Sequence, residues 1–240
     1  MSSFDRVINS ATATCVAEIV TLPICTLKTV YQNTNSKSII ETAKNIYVKT
    51  GIAGFYKASV PAIMSQMFST SSKYTFYKKL EDANLPYTNK IVNGLLSGIM
   101  ASIFTHPIDV VKIHWQMNDS LKQGIKENGL GVFYRGYSKT LSKVSMGSAL
   151  FFPLTDHFKQ TTDNIMLASL YAGFVSTLII HPLDYLKTRH IYNQPLFQGF
   201  NPMFYYKGLT LNMMRILPHF VIVMTGIDVM NKYVNILDED

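Results

Sequence analysis

Three apolar segments of the chain each place a lysine five residues after a proline. They read LPICTLK over 22–28, HPIDVVK over 106–112 and HPLDYLK over 181–187, and the last two also carry an aspartate two residues after the proline. An acid and a base three residues apart lie on one face of a helix, and a proline in an apolar helix frees a carbonyl and bends the helix. Such residues can form ion pairs where helices converge. The segments contain no nucleophile with a neighbouring base, so covalent chemistry is not expected.

A second element follows each of these segments and completes a repeat. It reads GIAGFYKA over 51–58, NGLGVFYRG over 128–136 and FYYKG over 204–208. Recurrence of the same two elements at intervals of about 80 residues is typical of an internal repeat. The sequence therefore predicts three repeats, over 1–84, 85–160 and 161–240, within one integral membrane domain.

Six stretches are long enough to carry these motifs across a membrane, which takes about 20 mostly apolar residues. They cover 7–31, 59–80, 91–115, 138–158, 165–189 and 209–233. Only 15% of the residues are charged, against about 25% in soluble domains. Polar residues interrupt every stretch, which favours a bundle around a water-filled interior. The predicted fold is an all-α membrane protein with six transmembrane helices in three pseudosymmetric two-helix repeats.

The loop charges predict an orientation for these spans. The connections 33–57 and 117–137 are rich in lysine and arginine, and basic loops mark the positive side of a membrane. An even number of spans places both termini on the opposite face. The net charge of +7 is compatible with nucleic acid, anionic lipid or an anionic substrate. Since the chain has no RNA-recognition motif, zinc-ligand spacing or lysine-rich tail, nucleic acid is not expected as a partner.

The pattern P-x-[DE]-x-x-[KR], followed some thirty residues later by an aromatic-basic-glycine element and repeated three times over six spans, resembles the mitochondrial carrier family. The resemblance covers essentially the whole chain. It implies a monomeric transporter of the mitochondrial inner membrane, with short helices on the matrix side and both termini facing the intermembrane space. Anionic lipid such as cardiolipin is the expected membrane partner. The resemblance implies no cofactor, no metal and no enzymatic activity.

In this family a ring of ion pairs closes the matrix side of the cavity, and the resemblance implies the same ring here. Asp109 would meet Lys187, and Asp184 would meet Lys28. Buried ion pairs are poor at holding a fold together, because desolvation offsets much of their attraction, so such a ring suits a gate. The remaining expected gate residues are Lys112, the bracing residues Gln32 and Gln116, and the helix kinks at Pro23, Pro107 and Pro182.

Cys25 stands where the family has an acid. We therefore expect Lys112 to lack an ion-pair partner and the matrix gate to contain two pairs instead of three. A second family ring, [FY]-[DE]-x-x-[KR], closes the cytoplasmic side from the second, fourth and sixth spans. Counting along these spans gives the expected cytoplasmic gate residues as Asp156, Lys159, Asp228, Lys78 and Glu81.

The family holds its substrate seven residues past the end of each second element. Here those positions are Ser65, Lys143 with Val144, and Arg215, and an arginine fork binds carboxylate or phosphate in two places. Lys73 and His219 could add positive charge, although His219 could equally be a packed histidine that donates to a backbone carbonyl. Glu18 could contact a substrate amine, carry a coupled proton or pair with Lys143 in the empty site, and we favour the pairing.

Several cations and few acids predict an anionic substrate. The Lys143-Val144 pair is closer to the nucleotide-type pattern of the family than to the amino-acid type, so nucleotides or deoxynucleotides such as ADP, ATP or dATP are the first choice, exchanged by alternating access. The alternatives are a carboxylate or other anion carrier, a uniporter in the same fold, and a non-transporting carrier-like receptor. The chain is short for the family, and its richness in Asn, Ile, Lys and Tyr favours an AT-rich genome such as that of a giant virus.

Overall fold

The computed structural model describes residues 3–36, 38–83, 90–119, 121–162 and 164–237, and within these ranges the chain is helical and contains no strand. It therefore belongs to the all-α class that the sequence predicts. The α-helices are α1 (Ser3–Asn33), α2 (Ile39–Thr50), α3 (Ala53–Tyr56), α4 (Ser59–Asp82), α5 (Lys90–Gln116), α6 (Leu121–Asn128), α7 (Tyr137–Thr162), α8 (Ile165–Ile191) and α9 (Leu209–Leu237). Two short 3-10 helices precede α7 and α9, at Gly129–Tyr134 and Pro202–Tyr206.

Six of the α-helices are long, and they match the six predicted stretches. They are α1, α4, α5, α7, α8 and α9, each of 24 residues or more. The short helices lie between α1 and α4, between α5 and α7, and between α8 and α9. Contacts such as that of the Lys207 ammonium with the Thr34 carbonyl, at 2.6 Å, bring these connections together at one end of the bundle. The beginning of α1 and the end of α9 lie at the other end.

The long helices form a closed ring. α1 packs along α4 and α9, α4 along α5, α5 along α7, α7 along α8, and α8 along α9. Each helix therefore turns one face toward a shared interior and the opposite face outward. The order long helix, short helices, long helix occurs three times around this ring.

Polar and charged side chains fill the interior of the ring, while large apolar side chains lie outside. Glu18, His106 and His181 are almost fully buried, whereas Phe104 and Met214 are more than half exposed. A soluble protein rarely shows such extensive apolar surface, and a lipid environment explains it. Among the described residues, four helical segments meet the length and composition needed to cross a membrane: Ile8–Asn33, Ile91–Gln116, Met166–Ile191 and Pro202–Gly226. The spans over α4 and α7, which are more polar, stay a prediction.

Pro23, Pro107 and Pro182 lie inside helices that continue on both sides of them. Bending at these prolines stays a prediction. The residue before the second and third prolines is a histidine whose Nε2 donates to a backbone carbonyl: His106 to Arg135 at 3.1 Å and His181 to Lys207 at 3.2 Å. The histidines tie α5 and α8 to the short connections that follow them.

Gly136 and Gly208 end the second elements and directly precede α7 and α9. Their φ angles are 78° and 84°, in the left-handed region that glycine adopts without steric cost. A Cβ on Gly208 would also lie 3.2 Å from the Gln32 Cγ. The first repeat has Ala58 at this place with a φ of −94°, which explains why it tolerates a side chain. These turns set the register of the long helices that carry the predicted substrate residues.

Candidate functional site

Glu18 lies in the middle of α1, with a side chain that is fully buried, and it binds side chains from three other helices. Its Oε1 accepts a hydrogen bond from the Lys112 ammonium of α5 at 2.5 Å. Its Oε2 accepts from the Arg215 guanidinium of α9 and, at 3.1 Å, from the Gln66 amide of α4. Two expectations are therefore wrong: Glu18 does not pair with Lys143, and Lys112 does have an acid.

The reason is the helical position of Glu18 relative to Cys25. The two residues are seven apart, so they lie on nearly the same face of α1, two turns or about 10 Å apart along its axis. Glu18 thus supplies a carboxylate from two turns above Cys25, farther from the short-helix end, where the first motif has none. The expected number of two acid-base pairs is wrong, because Glu18 and Lys112 form a pair in addition to those of Asp109 and Asp184. Cys25 itself accepts a weak hydrogen bond from the Gln116 amide, with 3.6 Å between nitrogen and sulfur.

Asp184 of α8 also binds two cations. Lys28 of α1 donates to its Oδ2 and Lys143 of α7 donates to its Oδ1. The Lys28 ammonium donates a further hydrogen bond to Asn212 of α9, at 3.0 Å. The contact between Lys28 and Asp184 is the one that the sequence predicts, whereas that between Lys143 and Asp184 was not foreseen.

Asp109 of α5 completes the set of acids. Its Oδ2 accepts a hydrogen bond from the Lys187 ammonium of α8 at 2.8 Å, which is the second predicted ion pair. Its Oδ1 accepts from the Ser65 hydroxyl of α4 at 2.6 Å. Ser65 is therefore held against the ring of acids, and its hydroxyl hydrogen is committed to Asp109.

These contacts follow one threefold rule. Each acid binds the lysine of another repeat's proline motif and also binds the residue seven positions past a second element. The first kind of contact joins Glu18 to Lys112, Asp109 to Lys187, and Asp184 to Lys28. The second kind joins Glu18 to Arg215, Asp109 to Ser65, and Asp184 to Lys143. Each acid thus links a gate residue to a predicted substrate residue.

The two glutamines that were expected to brace the ring do not bond to the ion-paired side chains. The Gln32 amide donates to the Lys207 carbonyl at 3.1 Å. The Gln116 amide donates to the Thr26 hydroxyl at 3.4 Å as well as to the Cys25 sulfur. Gln32 and Gln116 therefore join α1 and α5 to neighbouring segments below the ring.

A cavity of about 530 Å³ lies above the ring, between α1, α7, α8 and α9. Lys143, Asp184, Asn212 and Arg215 form its polar floor, and apolar side chains from α7 and α9 line its walls. His219 lies on the wall one turn above Arg215, and its Nδ1 is buried with no hydrogen-bond partner among the described residues. The cavity can accept a ligand that is anionic at one end and apolar at the other.

A second cavity, of about 470 Å³, adjoins the first between α4, α5 and α7. Lys73, Val144 and the rings of Tyr74 and Tyr77 line it. Gly147 of α7 lines both cavities. Lys73 makes no ion pair with any side chain that the structure describes, so it offers a free cation to this space. The predicted substrate residues Lys73 and Val144 thus face a different cavity from Arg215 and His219.

The residues expected to form the cytoplasmic gate lie at the end of the long helices opposite the short helices. Asp156, Lys159 and Glu81 are exposed, and within the described part of the chain none of them forms an ion pair. Lys78 is exposed at the same end of α4, and the side chain of Asp228 lies outside the described residues. The ion pairs of Asp109 and Asp184 lie toward the short-helix end of the bundle.

The described ion pairs carry an excess of positive charge. They contain the five bases Lys28, Lys112, Lys143, Lys187 and Arg215 and the three acids Glu18, Asp109 and Asp184, which leaves two positive charges unmatched. Lys143 is the most exposed of these bases, with 37% of its side chain accessible. An anion that enters the cavity would meet Lys143 and Arg215 first, because both line it.

Comparison with known proteins places this architecture in a family. Residues 1–84 and 83–165 each match the family model described as mitochondrial carrier protein. The chain is 56% identical over 232 residues to the mitochondrial carrier-like protein L276 of Acanthamoeba polyphaga mimivirus, covering 97% of this chain and 98% of the relative. It is 24% identical to mitochondrial uncoupling protein 1 of Arabidopsis thaliana, over 95% of this chain and 93% of the relative. It is 26% identical to the mitochondrial aspartate-glutamate transporter AGC1 of Saccharomyces cerevisiae, over 78% of this chain and 25% of the relative.

The family matches, the closed ring of six long helices and the apolar outer surface all agree with the expectation from the sequence. Members of this family are membrane-embedded transporters of small solutes and not enzymes. The chain belongs to the mitochondrial carrier family.

Proposed function

We propose that this carrier exchanges anionic metabolites, namely nucleotides or deoxynucleotides such as ADP, ATP or dATP, across the mitochondrial inner membrane. The observation that carries the proposal is the excess of two positive charges in the ion-pair network, with Lys143 and Arg215 facing the main cavity. Uncompensated buried charge is costly, so an interior of this kind is completed by an anion.

The shape of the cavity favours a nucleotide among the anions. Lys143 and Arg215 form a cationic floor, while Phe151 and Phe220 stand on the walls above it. Phosphates suit the floor, because the arginine fork and the lysine point charge both bind phosphate oxygens. A base suits the aromatic walls, since stacking on an aromatic ring stabilises any nucleobase.

The threefold contact rule supports alternating access. Lys143 and Arg215 each share an acid with a gate lysine, so an anion that binds these two bases changes the charge balance at Asp184 and Glu18. A ligand can shift a conformational equilibrium only by binding one state more tightly, and this shared carboxylate supplies such a difference. The three repeats 1–84, 85–160 and 161–240 would then rearrange around the ligand, with both termini facing the intermembrane space.

A carboxylate substrate is the second candidate. The relative from Saccharomyces cerevisiae is named an aspartate-glutamate transporter, and the arginine fork binds a carboxylate as well as a phosphate. Transport in one direction without exchange, by a uniporter in the same fold, is the alternative mechanism.

A thermal-shift screen of the purified protein tests the proposal, because a ligand that binds only the folded state raises its apparent stability. ATP, dATP, citrate and aspartate are compared at equal ionic strength, for the wild type and for Arg215→Met. We expect ATP or dATP at 100 times its Kd to stabilise the wild type by about 2.7 kcal/mol, and to stabilise Arg215→Met far less. Stabilisation by citrate or aspartate alone would show that the substrate is a carboxylate and not a nucleotide. No stabilisation by any of the four compounds would contradict the proposal.

A further inference from the structure

Glu18 binds two cations, and the first proline motif contains no acid that could bind them. The motif has Cys25 at the acid's place, and Lys112 and Arg215 both bind Glu18 instead. We propose that Glu18 is the third acid of the short-helix-side gate and that it occupies the anion site of Arg215 while the cavity is empty. The second part rests on the proposed transport of anions; the first part does not.

The burial of Glu18 supports its role in the gate. Its side chain is 0% exposed, and both of its carboxylate oxygens accept hydrogen bonds from cations. A buried carboxylate is stable only with such partners, and removing it leaves the opposite charges uncompensated. Lys112 is itself largely buried and makes no other ion pair in the described part of the chain. The closed position of Lys112 therefore depends on Glu18.

Arg215 can bind either Glu18 or a ligand, as its contacts show. Arg215 donates to Glu18 and more weakly to Thr21, at 3.4 Å, and it lines both the main cavity and the polar pocket that contains Lys112. An anion in this space competes with Glu18 for Arg215 and Lys112 together. Glu18 thus weakens anion binding. An anion that displaces Glu18 also removes the carboxylate partner of Lys112 and so acts on the gate. Asp109 has no such role, because its second partner is the uncharged Ser65.

Chloride leak through reconstituted protein tests the gate function without any transported substrate. Liposomes that contain a chloride-quenched dye are compared for the wild type, Glu18→Gln, and Glu18→Gln combined with Cys25→Asp or with Cys25→Asn. We expect Glu18→Gln to raise the leak several-fold and Cys25→Asp to return it toward the wild-type rate, because an aspartate at 25 restores the acid of the motif. The isosteric Cys25→Asn should not restore it. Equal leak in the Asp and Asn double variants would overturn the gate role, whether or not nucleotides are the substrate.

The affinity for ATP tests the second part in the same variants. Glu18→Gln should bind ATP about tenfold more tightly than the wild type, a gain of about 1.4 kcal/mol, and Glu18→Gln with Cys25→Asp should keep most of this gain because Arg215 stays free. An unchanged or weakened affinity in both would overturn the competition.

If Glu18→Gln alone folds poorly, Glu18→Gln with Lys112→Gln removes both charges, and we then expect a high leak that Cys25→Asp cannot reduce. Reduction of that leak by Cys25→Asp would overturn the pairing with Lys112.

Discussion

Asp184 lies between two lysines, because Lys28 of α1 and Lys143 of α7 each donate to one of its carboxylate oxygens. Lys28 is almost buried, with 11% of its side chain accessible, while Lys143 opens onto the cavity. One carboxylate therefore serves both the closed end of the bundle and the space where a ligand would bind. The two lysines should differ sharply in what their loss does.

Lys143→Met should reduce ligand affinity more than stability, and Lys28→Met should do the reverse. Asp184 keeps Lys28 in the first variant, so the loss of unfolding free energy should be below about 1 kcal/mol, as for a partly exposed pair. The second variant loses a buried charged hydrogen bond, which costs about 2 kcal/mol. Thermal unfolding and ATP titration of both variants measure this contrast. Equal losses of stability in the two variants would contradict the claim that Lys28 serves mainly stability and Lys143 mainly ligand binding.

The pair of Asp109 and Lys187 should tolerate exchange of its charges. Asp109→Asn should cost about 3 kcal/mol, because it leaves Lys187 uncompensated. Asp109→Lys combined with Lys187→Asp should recover at least half of the stability that either single reversal loses. Asp156→Asn, at the exposed end of α7, is the control and should change stability little. Failure of the double reversal to exceed both single reversals in melting temperature would argue against a direct pairing.

The two histidines before the prolines should contribute unequally. His106 bonds at both nitrogens, to the Arg135 carbonyl and, at 2.9 Å, to the Thr140 hydroxyl, whereas His181 has one such bond and an Nδ1 without a partner among the described residues. Leucine is the matched substitution, since Leu22 holds this position in the first repeat.

His106→Leu should therefore destabilise the protein by about 1 kcal/mol more than His181→Leu, the value of one additional hydrogen bond. Differential thermal unfolding of the two variants at one detergent concentration measures it. A larger loss in His181→Leu would mean that its free nitrogen is bonded in the folded protein.

Arg215→Lys should show whether the ligand uses the planar fork of arginine. A lysine keeps the charge but cannot bind two oxygens in parallel, so the affinity for ATP should fall about tenfold, or about 1.4 kcal/mol. Lys143→Arg is the matched control and should keep most of the affinity, because Lys143 supplies a point charge. Comparable affinities for the wild type and Arg215→Lys would indicate a ligand held by charge alone.

Much of the fold could be predicted from the sequence, because repetition and hydrophobic length are local signals. The three proline segments predicted the helices that carry the ion pairs, and the resemblance to the mitochondrial carrier family predicted the contacts of Asp109 with Lys187 and of Asp184 with Lys28. The positions seven residues past each second element also lie together around the acids. The period and register of the repeats place these residues at equivalent positions, and the family resemblance supplied their expected partners.

The partner of Glu18 could not be predicted in the same way. The cation that Glu18 binds depends on how α1, α5 and α9 are shifted relative to one another along the bundle axis. The spacing of residues in the sequence does not determine this shift. One signal was present: Glu18 and Cys25 are seven residues apart and therefore share a face of α1. The absence of an acid at position 25 and the spacing of seven residues together indicate that Glu18 replaces the missing acid.

The residues that line the second cavity could also not be predicted from the sequence. Lys73 and Val144 fall at predicted substrate positions, yet they line a space between α4, α5 and α7 and not the one that holds Arg215. Tyr74 and Tyr77 join them there, and only the packing of three helices brings these residues together. The free Lys73 makes this cavity the place where additional phosphate or carboxylate groups of a ligand could extend.

Uptake of labelled ATP into proteoliposomes tests the central claim most directly. Liposomes containing the wild-type protein are preloaded with unlabelled ATP or left without it, and Arg215→Met is run beside them. We expect rapid uptake into preloaded liposomes, little uptake into liposomes without internal nucleotide, and loss of uptake in Arg215→Met. Equal uptake with and without internal ATP would contradict exchange, and no uptake by the wild type under either condition would contradict nucleotide transport.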